Sequence, residues 1–474
     1  MNNRKVSRRA FLSASVLGAA GVMAAACAPE PTPVPVTPKD TPAGAATSPA
    51  PTPTTAPVPA GEPTTITYWT FWGGFEEMLD EWKATDAYKK FFDERNLRLD
   101  MASNVPKETF LANLAAGTPP DAGVRPGYLE FMVRGVVIPV DELLGGSSLK
   151  ADDFIEANLK LCSYKGSLYG IPANECFVRR GLCYNARMVA EAGLDPDKPP
   201  TTWPEVLEWH KALTKFDKAG NLVQIGLDPF DAEGGSFAWY NDGSFAAESW
   251  GLDWWDESTS TFHLNDPRLA EAFDTMSEFV KIIGPDNLAG FRGVAGQGGW
   301  GGAIESEVQA MIIEGYWAPG ETAINAPEVS KVLRATWVPV PENRRGVKLQ
   351  FAGGHMVQFF KDAKHPKEAF AVAEFLNTKE ICDIIFRRNG CLPALKSYIA
   401  TVDPSPYPGL DFYLNSVKEA NEWWTGQPCE ITEFVDAQYE PLIEKVYRGQ
   451  MTGAEAVAEF QRLCELEYKA QGYA

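Results

Sequence analysis

The sequence predicts an α/β protein of two lobes, carried behind an export signal. Three observations predict this. The stretch from about Pro63 to Ala474 is too long for a single hydrophobic core. Short β-rich runs alternate with amphipathic helical periods throughout it, the pattern of α/β lobes. Ahead of it, residues 4–27 read RKVSRRAFLSASVLGAAGVMAAAC. There Arg8 and Arg9 form a twin arginine, and an apolar run from Phe11 to Ala26 ends in small residues before Cys27. The run is short and rich in Ala and Gly, as in a cleaved export signal rather than a membrane span. Cleavage before Cys27 would leave an N-terminal cysteine open to lipidation. Ala24 stands where lipoprotein signals usually carry Leu, so an ordinary signal cleaved nearby is the alternative.

The segment from Ala28 to Glu62 holds no aromatic residue and is dominated by Pro, Thr and Ala. Proline fixes φ and removes N–H donors, so this is an extended spacer reaching on the order of 100 Å. The formal charge of −20 becomes about −24 once the basic signal is removed. Such a surface repels nucleic acid and anionic lipid. Beyond the anchor, no second run of about twenty apolar residues occurs.

In chain order, Ile66 to Trp69 alternates as a first strand, and Phe71-Trp72-Gly73-Gly74 breaks it into a loop. Met78, Leu79, Trp82, Tyr88, Phe91 and Phe92 recur at helical spacing over Glu76 to Glu94. A short helix from Phe110 to Ala116 stops at Gly117-Thr118-Pro119-Pro120, and Asp121 opens the next strand. Thr202-Trp203-Pro204-Glu205 carries a capping box and an early proline, the signature of a helix start. Leu269–Ile283, Val308–Ile313, Pro366–Leu376 and Ala454–Tyr468 read as further amphipathic helices, the last with a capping box from Thr452 to Glu455.

Seven cysteines remain beyond Cys27: 162, 176, 183, 382, 391, 429 and 464. None forms a Cys-x-x-Cys pair and the four histidines are scattered, so no metal site is expected. Cys382 with Cys391, or a pair among Cys162, Cys176 and Cys183, are the bridges weighed. The alternative is that most are buried, inert thiols.

Aromatic residues crowd the loops. Trp69, Phe71 and Trp72 follow the first strand. Trp239 and Tyr240, Trp254 and Trp255, Trp300, Tyr316 with Trp317, and Trp423 with Trp424 lie among Gly, Asp and Asn. Aromatic faces stack on the C–H faces of sugar rings while neighbouring polar groups bond the hydroxyls. Core packing is the plainer role for any one ring, but the set points to a carbohydrate cleft. No nucleophile elbow, His-Glu-x-x-His or phosphate loop occurs, so no catalytic residue and no cofactor are expected. Gly296-Gln297-Gly298-Gly299-Trp300-Gly301 matches a dinucleotide spacing without a strand before it, and reads as chance. Two carboxylates of a polysaccharide-acting enzyme remain possible on sequence alone.

Residues 164–214 carry Leu168-Tyr169-Gly170-Ile171-Pro172, Tyr184-Asn185, Ala192-Gly193-Leu194 and Pro199-Pro200-Thr201-Thr202-Trp203. With Pro120-Asp121, Ala310-Met311, Gly315-Tyr316-Trp317, Pro339-Val340-Pro341, Gly353-Gly354 and His365-Pro366-Lys367-Glu368-Ala369, they span most of 64–396 in order. This set resembles the extracellular solute-binding proteins of ABC importers, in the sugar-binding family that includes maltose-binding protein. The resemblance implies a two-lobed periplasmic-binding-protein fold with discontinuous lobes and a ligand cleft at the hinge. By this reading residues 1–26 are the signal, 27–62 the lipid-anchored linker, 63–176 and 338–380 one lobe, and 177–337 and 381–474 the other. Crossings are expected near Ile171–Phe177, Trp337–Pro341 and Leu376–Asp383. The resemblance further implies a monomer at the outer face of the membrane that captures a sugar or oligosaccharide, breaks no bond, and docks on permease subunits. Ligand contacts would fall on Trp69, Phe71, Trp72, Asp121, Arg125, Glu175, Trp239, Tyr316, Trp317, Gly353, Gly354 and His355. Arg125 departs from an aromatic in maltose-binding protein, which implies a different ligand. A non-sugar solute such as a polyamine, with Glu175, Glu314 and Asp242 facing it, or a peptide, is the other reading of the same fold.

Overall fold

The first strand, Thr64–Thr70, buries Ile66, Tyr68 and Thr70 on alternate positions, as the two-residue period of a strand requires. It pairs in parallel with Leu97–Ala102 on one side and Ala122–Val124 on the other. Met356–Phe359 and Ile171–Pro172 complete a five-stranded sheet, the former antiparallel to both its neighbours. This computed structural model describes residues 61–125, 128–173, 175–232, 244–294 and 302–473. The twin arginine, Cys27, the linker up to Ala60, Trp239, Tyr240, Asp242, Trp300 and the glycine-rich match at 296–301 lie outside the described residues. Residues Ala60–Ala474 form one compact unit.

The helix expected over Glu76 to Glu94 comes in pieces. Glu76–Lys83 ends at Thr85, whose hydroxyl accepts the Tyr88 N–H at 3.1 Å and restarts it, and Lys89–Asp93 widens into a π turn. Trp82, Tyr88, Phe91 and Phe92 all reach the core.

The second sheet runs in the order Leu333–Thr336, Gly181–Asn185, Gln309–Glu314, Leu222–Ala232, Lys215–Phe216. Its central strand corrects the sequence reading, which expected a helix over Val308–Ile313. Every residue of Gln309–Glu314 is buried, with a parallel neighbour on one side and an antiparallel one on the other. A short apolar run covered on both faces has no period to distinguish helix from strand. The helices Trp203–Leu213, Pro267–Ile283 and Gly453–Ala470 form where expected, and both capping boxes close.

The lobes are joined by antiparallel stretches through 175–180 and 350–355, with Ala173 paired to the same ladder. The Ala173 N–H donates to the His355 carbonyl at 3.0 Å, and the His355 N–H to that of Glu175 at 2.8 Å. Gly353 donates to Phe177 at 3.2 Å and Arg179 to Phe351 at 3.0 Å, so the ladder runs from one lobe into the other. The first of these stretches overlaps Ile171–Phe177. The second lies at Gly353–His355, not at Trp337–Pro341. Val340 is held to the second lobe by bonds to Thr201 and Trp203, and Leu349–Ala352 pairs with Glu422–Thr425. The third falls after residue 400, not near Leu376–Asp383. The Ile155 N–H donates to Ala394 at 2.9 Å and the Ser397 N–H to Asp153 at 2.8 Å, which keeps this segment on the first lobe. The Tyr413 hydroxyl, donating to the Glu314 carbonyl at 2.8 Å, marks the return to the second. Family-like spacing located each motif but not where the chain changes sheet.

The cysteine bridges are also corrected. All seven described cysteines are free thiols, six of them buried. Cys382 donates to the Leu376 carbonyl and Cys391 to that of Asn389. Burial pushes the Cys176 and Cys183 thiols up to about 12.

Candidate ligand site at the lobe crossing

The crossing stretches bring together groups far apart in the chain. Glu175 is buried on the first stretch, and one of its oxygens receives the Arg179 guanidinium. That same oxygen lies 3.2 Å from His355 Nε2 on the second stretch. The other oxygen lies 3.3 Å from the Tyr316 hydroxyl, which also reaches the Leu392 carbonyl at 3.2 Å. Trp317 lies against this group, its ring 4.9 Å from the Arg179 guanidinium carbon and 5.4 Å from the Tyr316 ring. From the loop after the first strand, Phe71 and Trp72 bring their rings to 4.8 and 4.9 Å from His355. These two rings are half-buried and pack on each other at 4.5 Å.

The glycine pair ahead of His355 is required by close approach. A Cβ on Gly353 would stand 2.1 Å from Arg179 Cδ. Gly354 has φ +124°, and a Cβ there would stand 2.4 Å from the Cys176 Cα. Two strands carrying a salt-bridged arginine can cross this tightly only with no side chain in between.

Burial, and then the nearby Arg179 charge, holds the His355 imidazolium far below its ordinary range, so the ring is neutral. Its 3.2 Å approach to Glu175 is therefore that of a neutral ring rather than an ion pair. Burial, reinforced by the Glu175 charge, pushes the Tyr316 hydroxyl well above its ordinary value, which keeps it a donor. Glu175 and Arg179 form a buried ion pair within the cluster.

Three expected contacts take other positions. The Asp121 carboxylate accepts the Thr67 N–H and hydroxyl, both at 2.8 Å, and the His365 N–H at 2.7 Å. Three framework donors make it a clip between the first strand and the chain after Met356–Phe359. Arg125 is buried over the Phe131 ring at 5.0 Å and reaches Glu433 of the second lobe at 3.5 Å, where Lys107 also pairs. Arg125 thus ties the lobes together across their rim. Trp69 packs edge-on against Phe110 at 5.3 Å. Trp254 and Trp255 are buried in the second-lobe core beside Phe262.

Sequence reading missed Arg179, Asn158 and the buried pair Arg180–Glu248. Asn158 Nδ2 donates to the carbonyls of Phe177 at 3.0 Å and Gly353 at 3.1 Å, clamping both crossing stretches. Arg180 reaches the two Glu248 oxygens at 3.1 and 3.3 Å. The available signal was two adjacent arginines in the apolar run ECFVRRGLCY, since buried charges require partners. Asn158 left no such trace.

Residues 85–381, more than half of the chain, match the bacterial extracellular solute-binding protein family, and the chain belongs to that family. A stretch of 165 residues is 30% identical to the arabinooligosaccharide-binding protein of Bacillus subtilis (strain 168), covering 33% of this chain and 35% of that protein. Another of 155 residues is 28% identical to the sn-glycerol-3-phosphate-binding periplasmic protein of Agrobacterium fabrum (strain C58), covering 31% and 33%. The chain thus spans about a third of the length of these curated relatives. Among solved structures, CpMnBP1 with mannobiose bound is similar at a TM-score of 0.71 and 20% identity, over 84% of this chain and 99% of that one. The Listeria monocytogenes substrate-binding protein Lmo0181, in complex with cycloalternan, is similar at 0.65 and 17% identity, over 87% and 100%. The fold is therefore the two-lobed α/β fold of the solute-binding proteins. No described helix is long and apolar enough to cross a membrane.

Proposed function

We propose that this protein is the extracellular binding component of an ABC importer, capturing a sugar or oligosaccharide between its lobes and delivering it to membrane permease subunits. The observation that carries this reading is the pairing of half-buried Phe71 and Trp72 with a buried polar cluster at the lobe crossing. Aromatic faces suit the C–H face of a sugar ring, and buried polar donors and acceptors suit hydroxyls. A binding group placed on the crossing stretches also links ligand contact to lobe closure, because the stretches that hold the ligand are those that bend. Phe71, Trp72, Glu175, Tyr316, Trp317 and His355 are the proposed ligand-facing residues, with Gly353 and Gly354 giving the clearance. The mannobiose- and arabinooligosaccharide-binding relatives support a sugar.

Export by the twin-arginine signal and anchoring through a lipid on Cys27 belong to the same proposal, supported by the residues before Cys27 and the spacer after it. Cys27→Ala then releases the protein from the membrane fraction.

The test is a thermal-shift screen of Ala60–Ala474 against mono- and oligosaccharides, uronic acids, glycerol 3-phosphate, polyamines and amino acids. A ligand that binds only the folded form raises the melting temperature by mass action. A saturable shift from one sugar class, weakened about tenfold by Trp72→Ala, is the expected result. A shift from a polyamine or glycerol 3-phosphate with no sugar response overturns the carbohydrate reading and leaves the fold standing.

A further inference from the structure

We propose that a clasp at the rim, apart from the crossing stretches, holds the two lobes shut by contacts within the chain alone. The helix Thr432–Tyr447 belongs to the second lobe, where Val435, Tyr439 and Leu442 join the core. The first backbone N–H groups of a helix need acceptors from outside it. The residue ahead of this helix is Ile431, which has no side-chain oxygen to cap it. The Glu433 N–H donates instead to a Glu130 oxygen at 3.1 Å. Glu130 lies on Tyr128–Val133, whose Leu129, Phe131 and Met132 pack with Phe110 and Phe360 of the first lobe. One lobe thus caps the other lobe's helix, with a carboxylate at the positive end of the helix dipole.

The same corner carries the charges that closure requires. Glu433 takes Lys107 and the buried Arg125, both from the first lobe. Arg134, 3.6 Å from Glu130, also reaches the Glu430 carbonyl and Gln471 Oε1 of the second lobe, both at 3.5 Å. The Glu430 carboxylate accepts the Tyr164 hydroxyl of the first lobe at 3.4 Å and the Tyr468 hydroxyl of its own at 3.2 Å. Burial, and then the Glu433 charge, raises the Glu130 carboxyl above its ordinary range, so the two carboxylates alone would push the lobes apart. The cations set against them reverse that sign. An isolated surface ion pair contributes little. Here each contact shares a residue with the next and Arg125 is buried, so parting the lobes breaks the contacts together and uncaps the helix. Every member is a group of the chain itself, so the open–closed balance is biased before a ligand arrives.

The test uses Ala60–Ala474 without added ligand, so its outcome is separate from that of the sugar reading. Lys107→Glu and Glu433→Lys each set like charges face to face at partly exposed positions, and a cooperative urea transition checks that both fold. Small-angle scattering should give each a larger radius of gyration than the unaltered chain. Glu208→Gln, which breaks a pair with Lys211 inside one helix, should leave the radius unchanged. Lys107→Glu combined with Glu433→Lys restores the pair and should recover part of the compaction. Hydrogen exchange gives an independent reading. The Glu433 amide should exchange at least tenfold faster in Glu130→Ala and in Lys107→Glu, while the amides of Gly353 and His355 in the crossing ladder keep their rates. Equal radii in the unaltered chain and both single variants overturn the clasp. So does a Glu433 amide unmoved in both variants, or a double variant no more compact than the singles.

Discussion

Gly354→Ala tests whether the tight crossing of the lobes is a structural requirement. The added Cβ would stand 2.4 Å from the Cys176 Cα and 2.5 Å from the Glu175 carbonyl oxygen. Both are backbone atoms, and the Glu175 carbonyl is fixed by the His355 N–H at 2.8 Å, so no rotamer change relieves the clash. Overpacking of this kind costs about 1–3 kcal/mol, and the φ of +124° costs a non-glycine residue about as much again. The total, on the order of 2–6 kcal/mol, is a large fraction of a typical stability of about 5–15 kcal/mol. Gly74→Ala is the control: its φ is +82°, and a Cβ there meets nothing within 4 Å. It loses only the conformational part, about 1–2 kcal/mol. Urea unfolding of Ala60–Ala474 measures both, and sugar affinity should fall further in Gly354→Ala because the strand that yields carries Glu175. A Gly354→Ala midpoint equal to that of Gly74→Ala would refute the argument.

Removing Glu248 leaves Arg180, which is fully buried, without its two carboxylate contacts, so Glu248→Ala should cost about 3–5 kcal/mol in urea melts. The double change Arg180→Met with Glu248→Leu should cost less than Glu248→Ala alone, since no buried charge remains. Stability should also depend on acid. Burial lowers the His210 pKa from 6.5 to about 4, so between these values the unfolded chain takes up a proton that the folded one refuses. The stability is complete above about pH 6.5 and falls toward pH 4, by up to about 3 kcal/mol, and His210→Gln should flatten the urea midpoint over that range. Finally, denaturant should release seven titratable thiols from Ala60–Ala474, and reductant should leave the melting temperature unchanged. Fewer thiols would show a bridge that the structure lacks.

Some of the site was legible because its residues break local rules. Gly353-Gly354, the aromatics after the first strand and Glu175 amid apolar neighbours each stand out in one dimension, and the structure brings Phe71, Trp72, Glu175 and His355 together. Asp121 and Arg125 stood out equally, but a carboxylate or guanidinium in a loop looks the same whether it meets a ligand or the framework. Their partners, Thr67 and His365 in one case and Glu433 in the other, are 54, 244 and more than 300 residues away.

By itself the sequence determined the α/β alternation, the helices closed by Thr202–Glu205 and Thr452–Glu455, and the first strand. Each of these is governed by neighbours within a turn or two, where periodicity and capping act. Only the tertiary structure decided that Gln309–Glu314 is a central strand, that the chain recrosses at Gly353–His355 and again after residue 400, and that the cysteines stay apart. It also decided that Arg179 pairs with Glu175 and that burial keeps His355 neutral. Those outcomes depend on burial and on pairings across long separations, and the energy of a buried charge or an unpaired lone pair exists only once the surrounding chain has excluded water.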